Sequence, residues 1–212
     1  QISKVRGPKS STAFLDREWF CGKVIAEPTQ LFGAVLKVLD GKTVNLRIVE
    51  KEDLPLWAEW NNNPDFFGDF IWFPQHSKTE FEKRYDNLTP DSKWFFIEKK
   101  DGTKIGGIIH FLVGNLLEIG YILVPSERGK GYASEAVKIM VDYLFLSRDA
   151  VRIQANTDVN NLASQKVLEK AGFKKEGTIR KNAFFRGEWR DSCLFSILRE
   201  EWKELKLLAR VC

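Results

Sequence analysis

Apolar and polar positions alternate over residues 43–49, with Val44, Leu46 and Ile48 on one face, and this predicts a first strand. Residues 93–99, 105–113 and 116–124 predict three more strands, separated only by the turn signals Asp101-Gly102 and Gly114-Asn115. Such short connections make an antiparallel meander. From about residue 132 the period lengthens to that of a helix, with Ala133, Val137, Met140, Val141 and Leu144 on one side. Alternation returns at Val151, Ile153 and Ala155. A strand, a crossover helix of this length and another strand favour a parallel pair. A further helix, capped by Asn160 or Asn161, runs to Ala171 and stops at Gly172. Residues 174–185 and 189–198 then predict a closing hairpin around Arg186-Gly187, and 199–208 a charged amphipathic tail helix.

Between the first strand and the meander the pattern predicts two helices. Asp53 is placed to cap the first, Pro55 sits in its tolerated first turn, and Leu54, Trp57 and Ala58 give it an apolar face. Asn61-Asn62-Asn63-Pro64 ends it. Ser77 with Glu80 forms a capping box for the second, which is buried through Phe81, Tyr85 and Leu88. The segment between them is rich in aromatics: Phe66, Phe67, Phe70, Trp72 and Phe73. The first forty-one residues carry a polar, basic start and then a mixed stretch, 19–39, of the kind that folds as a short hairpin. No function attaches to them.

Composition narrows the class. At 212 residues with 43% hydrophobic and 13% aromatic content, the chain is a folded globular protein able to bury a sizeable core. A formal charge of +4, with the basic residues scattered, suits an anionic ligand and does not call for nucleic acid. Cys21, Cys193 and Cys212 show no CxxC spacing, and His76 and His110 are too few for a histidine-rich site. This argues against a disulfide framework or a metal, and is compatible with a reducing cytoplasm. The longest uncharged run, 105–117 save for Lys104 before it, is too short to span a bilayer, and no apolar signal core opens the chain.

The chemistry concentrates where the strand 116–124 enters the turn Pro125-Ser126-Glu127-Arg128-Gly129-Lys130-Gly131 and the turn opens a helix. Two glycines remove the Cβ atoms that would hold a bulky anion off the backbone. The first helical turn offers N–H groups without intrahelical partners, at the positive end of the dipole. Arg128 and Lys130 flank Gly129 with formal positive charge. The arrangement suits a pyrophosphate. Gly129-Lys130-Gly131 lacks the spacing of a Walker A loop, and a dinucleotide fingerprint would put its third glycine on Ser134 and its acid among Val151, Arg152 and Ile153.

A longer match is more specific. Arg128-Gly129-Lys130-Gly131-Tyr132-Ala133 resembles the Q/R-x-x-G-x-G/A signature of the GNAT superfamily of acetyltransferases. Downstream, Asn161-Leu162-Ala163-Ser164 and Val167-Leu168-Glu169-Lys170-Ala171-Gly172-Phe173 resemble that family's second acetyl-CoA element, in the spelling of the Rim-type branch. The resemblance covers about residues 42–198. It implies an α/β fold with a mixed, mostly antiparallel sheet, helices on its flanks, and a splayed parallel strand pair at the acetyl-CoA site. Residues 1–41 and 199–212 then stand as an N-terminal extension and a C-terminal tail.

The resemblance also implies roles. Backbone groups at Leu123 and Val124 would hold the pantetheine arm, with an amide near Leu123 meeting the developing oxyanion. Amides from Arg128 through Gly129, Lys130, Gly131 and Tyr132 to Ala133 would hold the pyrophosphate. Asn161 would bind the arm and Ser164 would lie near the sulfur; the plainer readings are a helix cap and an exposed helical serine. Glu118 shares a strand face with Gly120 and Ile122, and is either a base acting through water or a solvated strand carboxylate. The stretch Lys181-Asn182-Ala183 carries no glutamate where some Rim-type enzymes are thought to have one. Glu188 and Asp191 either meet a cationic acceptor or pair within their hairpin.

The expected activity is acetyl transfer from acetyl-CoA to a primary amine by direct attack, with a protein N-terminal α-amine as acceptor and no metal or membrane. Only Asp65 and Asp69 lie among the aromatics of 61–74, too few carboxylates for a polyamine. A small-molecule amine acetyltransferase and a CoA-binding module without catalysis remain the alternatives, and a homodimer is left open.

Overall fold

The computed structural model describes residues 38–70 and 75–202. Among them, eight strands form one sheet in the order β1-β2-β3-β4-β5-β6-β8-β7. They are β1 (Val38–Asp40), β2 (Val44–Ile48), β3 (Lys93–Lys99), β4 (Lys104–Val113), β5 (Leu116–Leu123), β6 (Arg152–Asp158), β7 (Lys174–Phe185) and β8 (Glu188–Leu198). Neighbours pair antiparallel except β5 and β6, which run parallel. This is the mixed α/β sheet the alternation predicts. The expected hairpin at 19–39 lies outside the described residues except for Val38 and Leu39, which enter β1. Trp72, Phe73, Cys21 and Cys212 also lie outside them. Of the expected tail helix, Arg199–Glu201 form a 3₁₀ turn, and residues 203–208 lie outside the described residues.

Period-two alternation gives the sheet two apolar faces. One carries Leu46, Ile97, Ile108, Ile153 and Phe195, all essentially inaccessible, against Val137, Met140 and Leu144 of α4 (Tyr132–Ser147). Leu168 of α5 (Leu162–Lys170) joins the same core. The opposite face carries Val49 and Phe96 against Leu54 and Trp57 of α1 (Leu54–Asn61) and Phe81 of α3 (Lys78–Asp86). α3 begins with the predicted capping box: Ser77 Oγ accepts from Glu80 N–H at 3.3 Å, and Glu80 Oε2 from Ser77 N–H at 2.6 Å. Asn63 caps a short α2 (Pro64–Phe67), which the sequence pattern did not predict.

Asp53 departs from expectation. It stands at the N-cap of α1, but its side chain makes no cap bond. Its carboxylate instead takes Arg47 at 2.8 Å, Lys104 at 3.0 Å and the Glu50 N–H at 3.0 Å, while Arg47 Nε reaches Glu98 at 2.7 Å. A charged donor fork outcompetes a neutral amide for a carboxylate. The guanidinium holds the Asp53 carboxyl well below the usual carboxylate range, although burial alone would raise it.

α4 is held at both ends. Near its start Glu135 accepts the Thr43 N–H at 2.7 Å, tying it to β2. At its end Arg199, just past β8, donates to the carbonyls of Phe145 at 2.9 Å, Arg148 at 2.5 Å and Ala150 at 2.7 Å. The last carbonyls of a helix lack intrahelical donors, so the guanidinium supplies them.

His110 of β4 is fully buried between Phe95 and Tyr143. Its Nδ1 lies 3.1 Å from the Asp91 carbonyl, which can only accept, so Nδ1 carries the proton; Nε2 has no partner. Burial lowers its pKa from 6.5 to about 4. The unfolded chain therefore binds the extra proton first, and stability falls as pH drops from about 6.5 to about 4, by ~3 kcal/mol from this residue. Urea titrations at pH 7 and pH 4.5 should show a larger loss for the natural protein than for His110→Gln; equal losses would remove His110 from the acid response.

Candidate active site

β5 and β6 are ladder partners only at Leu117–Ile153 and Glu118–Gln154. Beyond that point β5 stays with β4 as far as Leu123, while β6 stays with β8 as far as Asp158. The parallel pair therefore splays, and a cavity of about 690 Å³ opens there. Its walls are β5 from Ile119 to Leu123, β6 from Ala155 to Asp158, the start of α5, and the glycine turn. Val124 donates its N–H to Ile105 of β4 at 2.9 Å. Successive strand amides point to opposite edges, so the Leu123 N–H faces the unpaired edge. Val124 itself offers the cavity no amide.

The turn after β5 is a 3₁₀ segment at Pro125–Glu127, followed by Gly129 and Gly131 with φ of 78° and 89°. Only glycine takes those angles without strain. A Cβ at either position would meet nothing within 4 Å, so both open outward. The first helical bond of α4 runs from Glu135 N–H to Gly131 C=O at 3.2 Å. The N–H groups of Gly131, Tyr132, Ala133 and Ser134 precede it and have no intrahelical acceptor.

The two cations of this turn are engaged with the protein. Arg128 Nε donates to the Leu123 carbonyl at 3.0 Å, its Nη2 donates to the Phe66 carbonyl at 2.5 Å, and its own N–H goes to Pro125 at 3.3 Å. Arg128 thus joins the end of β5 to α2, with two of its five guanidinium N–H groups committed to these carbonyls. Lys130 Nζ pairs with Glu127 at 3.1 Å, and Glu127 also takes Lys99 at 2.7 Å. The two lysines hold the Glu127 carboxyl below its ordinary value. Lys130 remains half exposed and keeps its positive charge at the turn.

α5 enters the splay by its first turn. Asn161 Oδ1 accepts the Ser164 N–H at 3.0 Å, so Asn161 rather than Asn160 is the cap. Ser164 Oγ lies 2.9 Å from the phenol oxygen of Tyr121, which also donates to the Ser164 carbonyl at 3.1 Å. All three residues line the cavity. Burial pushes the Tyr121 hydroxyl up to about 12, so it stays a neutral O–H. Tyr121 escaped the sequence analysis. Its signal is a phenol on a strand face otherwise occupied by Leu117, Ile119 and Leu123, where a buried hydroxyl requires a partner.

Glu118 sits on the opposite face, at the closed end of the splay. Its Oε2 accepts amides from Gln154 at 2.9 Å and Asn156 at 3.0 Å, and it does not line the cavity. The structure therefore brings Ser164 and Asn161 together and leaves Glu118 one side chain away. Asn156 and Asp158 do line the cavity. Their sequence signal is the polar run Gln154, Asn156, Asp158, at period two in a strand with helix-covered neighbours.

On the Glu118 side, aromatics make the wall. Trp57 lies flat over Gly107, where an added Cβ would come within 2.7 Å of the indole, and it stacks on Trp94 at 5.4 Å. Phe66 stacks on Trp60 at 5.2 Å and is itself buried, while Phe67 and Phe70 also face the cavity. The hairpin clasps this segment: Arg186 pairs with the Asp69 carboxylate at 2.9 Å and donates to the Gly68 carbonyl at 3.1 Å. In β7, residues 180–182 bulge opposite Asp191 alone. Lys181 adopts φ 51° and donates its N–H to Asp191 Oδ1 at 2.9 Å, while Asn182 joins the cavity lining. Glu188 pairs with Arg190 at 2.6 Å. Both hairpin acids are thus satisfied within the hairpin. Among the described residues no group of three His, Cys, Asp or Glu is placed to hold a metal, and no helix is long and apolar enough to cross a membrane.

Comparison with known proteins agrees with this geometry. Residues 43–174 match the family described as acetyltransferase (GNAT) domain. The probable N-acetyltransferase YjcK of Bacillus subtilis is 34% identical over 181 residues, covering 77% of this chain and 98% of YjcK. A ribosomal-protein-S5-alanine acetyltransferase from Vibrio fischeri superposes with TM-score 0.70 at 23% identity, over 79% of this chain and 99% of that one. A spermidine N-acetyltransferase from Vibrio cholerae, solved in complex with CoA and spermine, superposes with TM-score 0.67 at 24% identity, over 75% and 97%.

The Arg128 bridge generates a structural test. Arg128→Ala should lower stability by about 1–2 kcal/mol, and Arg128→Lys should recover little, because an ammonium does not reproduce the planar two-carbonyl fork. Urea denaturation checks both variants.

Proposed function

Because the chain belongs to the GNAT acetyltransferase family and is an N-acetyltransferase, we propose that it carries acetyl from acetyl-CoA to the α-amine of a protein N-terminus. The observation that carries the reading is the Ser164 hydroxyl, hydrogen-bonded to the buried Tyr121 phenol inside the open splay. In this proposal the catalytic domain is residues 42–198, flanked by the extension 1–41 and the tail 199–212.

The amides of Gly129, Lys130, Gly131, Tyr132 and Ala133 take the pyrophosphate, with the Lys130 charge beside them. Asn161 and the open edge at Leu123 take the pantetheine arm. The Leu123 N–H faces the position where the thioester oxygen gathers negative charge, which is where a fixed donor lowers the barrier most. When the amine attacks the carbonyl carbon, the C–S bond breaks and the thiolate receives a proton from Ser164. The proton that the attacking nitrogen sheds returns through water to Ser164, while Tyr121, kept neutral by its raised pKa, holds the serine hydroxyl in place. A thiol pKa near about 8.5 makes the thiolate a fair leaving group, so orientation and these donors are sufficient chemistry.

For the acceptor, three features favour a peptide end over a polycation. The outer wall is apolar and aromatic, Asp69 is already paired with Arg186, and Arg186 and Arg190 put positive charge in the hairpin beside it. An α-amine, with a pKa of about 7.7–8.0, is partly neutral at physiological pH and needs no strong base. Glu118 enters as a positioning residue, acting through the Asn156 amide it accepts rather than by contact with the amine.

Several outcomes check the proposal. Ser164→Ala should cut turnover about 100-fold while acetyl-CoA affinity by calorimetry stays within about twofold; unchanged turnover removes Ser164. Gly131→Val should lose some stability to its φ of 89°, although its side chain meets no protein atom, and the folded variant should lose acetyl-CoA binding. The pH profile of kcat/KM should rise to about pH 8 with the acceptor amine and remain flat to about pH 10, since Tyr121 does not ionise in that range. Thiol release should favour N-terminal peptides over spermidine; a higher kcat/KM for spermidine would overturn the acceptor assignment.

A further inference from the structure

The acceptor side of β6 carries two buried oxygen atoms with no hydrogen-bond partner, Asn156 Oδ1 and Asp158 Oδ2. Both residues line the cavity, and they stand two positions apart on one strand, on the same face. Asp158 is 6% exposed. A buried carboxylate oxygen and a buried amide oxygen left unpaired are costly, and such pairs in a cavity wall mark where a donor is to be received.

The surroundings fix both orientations. Asn156 gives its Nδ2 to Glu118 Oε2 at 3.0 Å; a carboxylate only accepts, so the amide is held with Oδ1 away from Glu118. Asp158 Oδ1 accepts the Asn160 N–H at 2.7 Å, which holds the turn into α5 and leaves Oδ2 over. The nearest cation is Arg190, whose Nη1 stands 3.7 Å from Oδ2, outside hydrogen-bond distance. Its guanidinium is engaged with Glu188 at 2.7 and 2.6 Å and lies over the Phe185 ring at 4.6 Å. Arg190 thus tempers the buried charge without filling the acceptor.

We propose that Asn156 Oδ1 and Asp158 Oδ2 form the seat for the acceptor's primary amino group. The inference rests on the N-acetyltransferase reading and adds to it the group that recognises the amine. Two acceptors match the two N–H bonds that a neutral primary amine carries as it attacks, one of which is given up as the amide forms. An ammonium docks by two of its N–H groups; its third proton passes to water, and the freed lone pair points away from β6, into the splay where the thioester carbon arrives. A secondary amine can satisfy only one acceptor, and a quaternary ammonium satisfies neither. Glu118 contributes by holding the Asn156 amide in the receiving orientation.

The test uses the full chain and a minimal probe. Ethylammonium chloride, titrated against a potassium chloride control, should shift the Asn156 side-chain amide signals in a nitrogen–proton spectrum and saturate. Tetramethylammonium should bind at least tenfold more weakly. Asp158→Asn keeps an oxygen for the Asn160 N–H and removes the charge, so it should melt with the natural protein yet bind ethylammonium at least tenfold more weakly. In turnover it should raise the acceptor KM and leave the acetyl-CoA KM unchanged. If ethylammonium leaves the Asn156 signals unmoved, or if Asp158→Asn binds it as the natural protein does, the seat is refuted and Asp158 is only a turn-forming residue. None of the binding measurements involves acetyl-CoA, so a chain that seats ethylammonium but fails to bind acetyl-CoA would sink the functional reading and leave the seat standing.

Discussion

Everything else in the site follows from one interrupted ladder. Parallel strands normally satisfy each other's backbone groups along their length, and here β5 and β6 do so for only two residue pairs. Each strand is then claimed by its outer antiparallel neighbour, so the sheet remains stable while its centre opens. Backbone donors at the opened edge have no protein partner within the sheet, and buried donors do not stay empty without cost. A ligand with an extended, amide-bearing arm would complete the hydrogen bonding that the sheet gives up. The cavity is in this sense an unfinished β-ladder.

Two kinds of positional control surround that opening. On one face, Ser164 is set by the Asn161 cap and by Tyr121, so its hydroxyl direction is determined by residues from two different elements. On the other face, Glu118 sets Asn156 through a single amide bond. Arg128 crosses between the end of β5 and α2, and so links the aromatic wall to the strand that carries the opening. The two faces of the opening are therefore mechanically joined through the strand that separates them.

The legibility of the chain was uneven for physical reasons. The strands of the meander and α4 were plain because their periodicity is strong and their turns use glycine. The glycine turn and the Asn161–Ser164 element were plain because they are local motifs, written in contiguous residues. What the sequence hid are contacts between distant residues. Asp53 reads as a helix cap until Arg47 and Lys104 are seen to claim its carboxylate. Arg128 reads only as a charge beside the glycines, and its bridge to two carbonyls, one of them more than sixty residues away, is invisible in the sequence. Tyr121 and Asp158 look like ordinary strand residues, and only the tertiary fold shows that one faces Ser164 and that the other keeps a buried oxygen without a hydrogen bond. α2 was missed because four residues carry too little periodicity to register.

Arg199 acquires a meaning beyond the capping of a helix. α4 has sixteen residues, which makes it about 24 Å long. Its far end is locked to the close of β8 by three carbonyl bonds, and its near end to β2 by Glu135. A rod fixed at both ends behaves as a lever with no play. The amides at its tip are thereby aimed when the chain folds. The direction in which the glycine turn presents its amides is to that extent decided at the opposite end of the helix.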